Sequence, residues 1–112
     1  VSDTFDLEKW LEKQPGPAGS LVCSVHQFWK IATARKQAGW EVALYVSGGY
    51  GTRRVLNVYP LGSNLIIISA LRDDGLCDTL FAPIEQCAFT ISHFQPQKDE
   101  EKVIVGFAPQ NT

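Results

Sequence analysis

The spacing of apolar positions along this chain changes period near residue 40, from helical before it to alternating after it. In the first segment, SDTFDLEKWLEKQPGP, Leu7, Trp10 and Leu11 share one helical face, and Asp3 or Asp6 stands where a cap is needed. Pro15-Gly16-Pro17 stops that pattern, so a short amphipathic helix is predicted. A second helix is predicted from Ser24. Ser24 with Gln27 matches a capping box, Cys23 is placed to staple onto Phe28, and Gly39 closes the element. Val25, Phe28, Trp29 and Ala32 form its apolar stripe, with Lys30, Arg35 and Lys36 toward water. Leu21 to Cys23 fit a short strand as well, because so short a run shows no period.

From Trp40 onward Val42, Leu44 and Val46 alternate with Ala43 and Tyr45, the period of a strand. SGGYG, residues 47–51, supplies the glycines of a turn, and TRRVLNVYP follows as a second strand. Leu61-Gly62-Ser63-Asn64 turns the chain into Leu65-Ile66-Ile67-Ile68, a run that suits a strand covered on both faces. Arg72-Asp73-Asp74-Gly75 makes the next turn. Asp78 to Ala82 and Cys87 to Phe94 are strands separated by Pro83, which cannot donate to a ladder, and by Ile84-Glu85-Gln86, enough for one 3₁₀ turn. So short an interruption predicts the corner of a strongly bent sheet rather than a hairpin loop. QPQKDEE, residues 95–101, is a polar linker, and KVIVGFA, residues 102–108, reads as a last strand that pairs with its own sheet or a neighbour's.

The expected fold is α+β: one domain over residues 1–112, in which N-terminal helices precede a bent five-stranded antiparallel small barrel and an extra C-terminal strand. Its parts are a helical extension (1–23), helix plus barrel (24–94), the linker and the final strand. A length of 112 residues with 45% hydrophobic and 20% charged positions is that of one domain with its own core. The formal charge of −2 gives no global field toward nucleic acid or anionic lipid, so a nucleic-acid site has to be a local patch. Cys23, Cys77 and Cys87 are odd in number and scattered, which suits a reducing compartment. No apolar run approaches the roughly 18 to 20 residues that span a bilayer, and VSDTFDLEKW lacks the pattern of a signal peptide. A cytoplasmic location without membrane contact is expected.

Little in the chain points to catalysis. SGGYGTRR resembles an anion-binding nest, but no helix follows and neither a Walker nor a dinucleotide spacing is met, so a hairpin turn is the preferred reading. Cys23-x-x-His26 is half a metal site, and Cys77, Cys87 and His93 offer no second close pair, so no metal and no cofactor are expected. A Cys–His nucleophilic pair would lack an orienting third group. His26 and His93 are therefore expected at the surface or its boundary, Asp73-Asp74 in a turn, and Trp10, Trp29 and Trp40 in the core. The candidates for a polyanion site are Lys30, Arg35, Lys36, Arg53 and Arg54, with Tyr45 and Tyr50 as stacking surfaces.

FWKIATARKQAGWEVALYVSGGYGTRRVLNVYPLGSNLIIIS, a helix ending in basic residues followed by strand, glycine turn and two strands, resembles the Sm-like (Hfq-like) small-barrel family of SH3-type topology. The resemblance covers residues 24–94. It implies an oligomer with an RNA-contacting asparagine, matched here by Asn64 at the start of an apolar strand. Pro60 occupies the place of that family's aspartate, and Ile84-Glu85-Gln86 lacks its second, basic signature. The functional expectation is a non-enzymatic binding protein that self-associates as a homo-oligomer and takes single-stranded RNA. The alternative is a protein-interaction or inhibitor module with a protein partner and no nucleic-acid role.

Overall fold

The computed structural model describes residues 5–97 and 104–109. Helix α1 (Leu7–Glu12) is capped by Asp6, whose carboxylate accepts from the Lys9 backbone N–H at 3.2 Å. Helix α2 spans Gly16–Ala34, with Pro15 extended at its N-cap and Pro17 in its first turn. It therefore begins eight residues ahead of the predicted Ser24, and Leu21 to Cys23 are helical rather than strand. The reason is the asymmetry of proline. The first turn of a helix has N–H groups without partners, so a proline there loses nothing and brings its φ already set. The same Pro-Gly-Pro ends one helix and starts the next. The Ala18 N–H donates to the Ser63 carbonyl at 2.8 Å, pinning this helix start to a turn of the sheet.

Beginning the helix earlier brings other side chains onto the sheet. Ala18, Val22, Val25, His26 and Trp29 make the buried stripe, whereas Phe28, expected in it, is 65% exposed on the flank. His26, expected near the surface, is buried at 7%. The helix ends at Ala34 with Arg35 as C-cap, and Gly39, expected to close it, stands in the following loop at φ +83°.

Five strands follow: β1 (Glu41–Gly48), β2 (Gly51–Leu61), β3 (Leu65–Leu71), β4 (Cys77–Pro83) and β5 (Ala88–Phe94), with one 3₁₀ turn (Ile84–Gln86) between the last two. They form one antiparallel sheet in the order β4-β3-β2-β1-β5. The strands and the brief break fall where the sequence places them. The sheet is open, with β4 and β5 at its two edges. Val42, Leu44, Val46, Val55, Val58, Ile66, Ile68 and Ala70 join the α2 stripe in one core. In the aliphatic run, Ile66, Ile67 and Ile68 are buried as a strand covered on both faces requires, while Leu65 at its start is exposed.

The predicted last strand is not one. Residues 102 and 103 lie outside the described residues, and 104–109 make a single parallel bridge, Gly106 to Asn57, within their own chain. The space for it arises because β1 pairs with β2 only from Tyr45–Arg54 to Gly48–Gly51, yet pairs with β5 back to Glu41–Phe94. A register shift between Val55 and Asn57 leaves Leu56 as the extra residue of a bulge, unmatched on β3. The chain end occupies that fork. The Gly106 N–H donates to the Leu56 carbonyl and the Val58 N–H donates to the Gly106 carbonyl, both at 3.0 Å. The Asn57 amide donates to the Ala108 carbonyl at 3.1 Å. Phe107 is buried with its ring centroid 4.8 Å from that of His26. Glycine suits position 106, because a Cβ there would press on the Asn57 side-chain oxygen.

Two outcomes follow from this packing. Gly106→Ala is expected to lower unfolding free energy by about 1–3 kcal/mol, the usual cost of overpacking. Asn57→Ala in the same chain should return part of it, as read by urea denaturation; an unaffected single variant would contradict the close approach. The second outcome concerns His26, whose Nδ1 has no hydrogen-bond partner and whose pKa burial lowers from 6.5. The unfolded chain thus takes up the proton first. The contribution of His26 to stability is complete above pH 6.5 and is lost as pH falls through the lowered folded value. Urea midpoints should fall on acidification below 6.5, less steeply in His26→Leu.

Candidate functional site

The basic candidates lie in separate parts of the molecule. Lys30, on the exposed side of α2, is ion-paired with Glu8 of α1. Arg35 and Lys36 follow the last turn of α2, and Lys36 Nζ lies 3.1 Å from the Glu41 carboxylate at the start of β1. Arg53, on β2, lies 2.6 Å from the Asp78 carboxylate of β4, and its guanidinium carbon is 6.0 Å from the Tyr50 ring centroid. Asn64 is exposed in the turn between β2 and β3, and its backbone carbonyl accepts from the Ile84 N–H at 3.0 Å. That bond ties the turn to the 3₁₀ break.

Tyr45 and Arg54 are cross-strand partners on β1 and β2, and Thr90 of β5 faces Tyr45 from the other side. The Arg54 guanidinium carbon lies 5.6 Å from the Phe94 ring centroid, and its Nε and Nη2 are buried without a hydrogen-bond partner. The structure therefore brings Tyr45 together with Arg54, and Tyr50 with Arg53. It leaves Lys30 and Asn64 outside both pairs.

Tyr50 and Arg53 border a polar cleft of about 460 Å³ whose far wall is the β3–β4 turn, Arg72-Asp73-Asp74. Arg72 lies 2.7 Å from Asp74 and 3.7 Å from Asp78, so the cations here are matched by carboxylates. Half-exposed pairs of this kind contribute about 0–1 kcal/mol each and leave little net field. Asp73-Asp74 form a turn as expected: the Leu76 N–H donates to the Asp74 carboxylate at 3.0 Å, and Gly75 has φ +87°.

All three cysteines are free thiols. Cys87, half-buried after the 3₁₀ turn, donates its S–H to the Pro83 carbonyl at 3.7 Å and adjoins Tyr50. Burial pushes the Cys87 thiol up from its ordinary value, an effect that Tyr50 partly offsets. Burial also raises the Tyr50 phenol, with Cys87 adding to the rise and Arg53 opposing it. A thiol held protonated at neutral pH is a poor nucleophile and a poor metal ligand. Cys23 lies half-buried on α2 and His26, one turn on, is buried against Phe107. Among the described residues no three His, Cys, Asp or Glu side chains gather as a metal-binding group.

Edge pairing was expected at the 102–108 segment, whereas the edges of the sheet are β4 and β5, and the exposed flank of α2 was not expected at all. On β4, Phe81 is 69% exposed. On α2, Phe28 and Ile31 stand open beside β5. Trp40, expected in the core, is half-exposed and lines a cavity with Arg35, Lys36 and His93. The signal was present in the strand sequences CDTLFAP and AFTISHF, which alternate correctly but lack the lysines that usually guard an edge. Compared with known proteins, the chain matches no family model, no curated protein and no solved structure.

Mass-resolved alkylation at neutral pH should label Cys77, which is exposed, ahead of Cys87. The Cys87 rate should keep rising further into the alkaline range than that of a small free thiol alkylated alongside, because burial raises its pKa and its thiolate forms later. Equal rates would show that burial does not control this thiol.

Proposed function

We propose that this chain is a non-enzymatic binding protein of Sm-like, SH3-type small-barrel kind that self-associates by pairing β4 of one copy with β5 of the next. The carrying observation is that the two seven-residue edge strands of the sheet are unpaired among the described residues and carry no lysine or arginine, with Pro83 at the end of β4 as the one edge-breaking residue. AFTISHF of β5 has no lysine, arginine or carboxylate, and the one charged side chain of β4, Asp78, is tied to Arg53. Phe81 adds an exposed aromatic surface on β4. An unprotected edge is a template for another strand. Joining unlike edges makes a head-to-tail contact, which closes into a ring when the rotation per copy permits and otherwise extends. The strand order, with one 3₁₀ turn between the fourth and fifth strands, supports the small-barrel kinship.

The non-enzymatic reading is supported by the protonated state of Cys87 and by the burial of His26 against Phe107. Three free thiols favour a reducing compartment, consistent with a cytoplasmic protein. Among the described residues no helix is long and apolar enough to cross a membrane. Single-stranded RNA is a second reading for the ligand, favoured by Arg54, whose Nε and Nη2 lack partners beside Tyr45 and Phe94. A protein partner taken at a free edge by strand addition is the alternative without nucleic acid.

Light scattering after size exclusion, across a concentration series, tests the assembly. A discrete multiple of the chain mass is expected, and Phe81→Glu should reduce it to a single chain with an unchanged far-ultraviolet circular dichroism spectrum. A single-chain mass at every concentration rejects edge pairing. For the RNA reading, anisotropy of a labelled oligouridine should weaken with rising salt and in Arg54→Ala, and absence of binding at the lowest salt rejects it.

A further inference from the structure

Three cavities follow one another along the flank of α2 that faces β5, and they share their walls. The first, about 430 Å³, lies between Leu21, Val25 and Phe28 of the helix and Phe89 and Ile91 of the strand. The second, about 350 Å³, keeps Phe28 and Ile91 and continues past Ile31 to Arg35 and His93. The third, about 250 Å³, keeps Arg35 and His93 and adds Lys36 and Trp40. Together they make one trough. Leu21 to Arg35 is fourteen residues along α2, about 21 Å at the rise of an α-helix.

The trough differs along its length. From Leu21 to Ile31 its walls are aliphatic and aromatic, and the polar groups among them are the Ser24 hydroxyl and the Cys87 thiol. At the other end the basic side chains Arg35, Lys36 and His93, with the Gln37 amide, converge around one indole. Lys36 is shared with Glu41, so the two charges cancel. Arg35 has no carboxylate within ion-pair distance among the described residues, which leaves one uncompensated positive charge beside His93 and Trp40. The carbonyls ending α2 carry a partial negative charge, so an anion here is held by side chains rather than by the backbone.

We infer that this trough binds a single-chain amphiphile with an anionic head, of the long-chain carboxylate class. Its alkyl chain lies between Phe28 and Ile91, and its carboxylate meets Arg35 and His93 beside Trp40. Two observations favour this occupant over an extended peptide. The helix wall has its backbone groups already bonded within α2, so a peptide backbone would find no partners on that side, whereas an alkyl chain asks for none. The charge is also confined to one end, which matches a molecule with one charged terminus. The site lies on the helix side of β5 and does not depend on pairing of the sheet edges.

The test is calorimetric titration of the full chain with decanoate, dodecanoate and dodecanol, all below their aggregation concentrations. Saturable binding of one dodecanoate per chain is expected, with decanoate at least about tenfold weaker, because each buried methylene tightens binding about fourfold. Dodecanol should bind at least about tenfold more weakly than dodecanoate, the usual worth of a charge-assisted contact. Arg35→Glu should weaken dodecanoate by a similar factor and leave dodecanol unchanged. Phe28→Asp should abolish binding of both, and Ile31→Asp serves if that variant does not fold. Failure to saturate, equal affinity for dodecanol, or indifference to Arg35→Glu overturns the inference. So does loss of self-association in a folded Phe28→Asp chain, which would assign the trough to a contact between copies. A native chain found to be a single copy that still binds dodecanoate refutes edge pairing and leaves this site standing.

Discussion

The fork between β1 and β2 is the constraint on which the rest of the structure depends. β1 gives its length to β5 and touches β2 only near their shared turn. A sheet that divides in this way exposes peptide groups in its middle, where water is excluded, and unpaired groups there are costly. The gap is closed by the bulge at Leu56 and by one glycine with a phenylalanine beside it. Phe107 then completes the layer between the sheet and α2, meeting His26 on the face that Ala18, Val22, Val25 and Trp29 bury. Phe28 and Ile31 fall on the flank beside that face.

Much of the architecture was legible from period and punctuation alone. The alternation after Trp40, the glycine turns and the brief break after Pro83 place all five strands, because each signal is local and unopposed. Pro15-Gly16-Pro17 was legible only in part: it reads as the end of one helix, while the tolerance of a first helical turn for proline also makes it the start of the next. The bond from Ala18 to a turn distant in sequence that pins this start lies outside any local window. The tail misled for a related reason. KVIVGFA has strand composition, yet its pairing is set by the fork, a feature that no local window contains.

The site was less legible than the fold. Basic residues are easy to count, but their partners are not. Arg53 meets Asp78 across β3, whereas Arg54, one residue later, points to the other face and ends over Phe94. Adjacent arginines in a strand thus have opposite electrostatic roles, one neutralised and one without hydrogen-bond partners. Phe28, which read as core, stands at the surface, since an apolar side chain on the flank of a helix has the same spacing as one a few tens of degrees nearer the sheet, and Trp40, in the loop before β1, is only partly covered.

The bond from Asn57 to Ala108 joins residues 51 apart in sequence. Its consequence is one of timing. During synthesis β2 is available long before the segment that fills its fork, so the earlier strands can pair while the core still lacks Phe107. Closure of such a distant contact carries a loop-entropy cost and comes late in the order of folding events. Until residue 108 has left the ribosome, the nascent chain carries an open seam through the centre of its sheet. A pause in translation before residue 108 would extend the life of that exposed state.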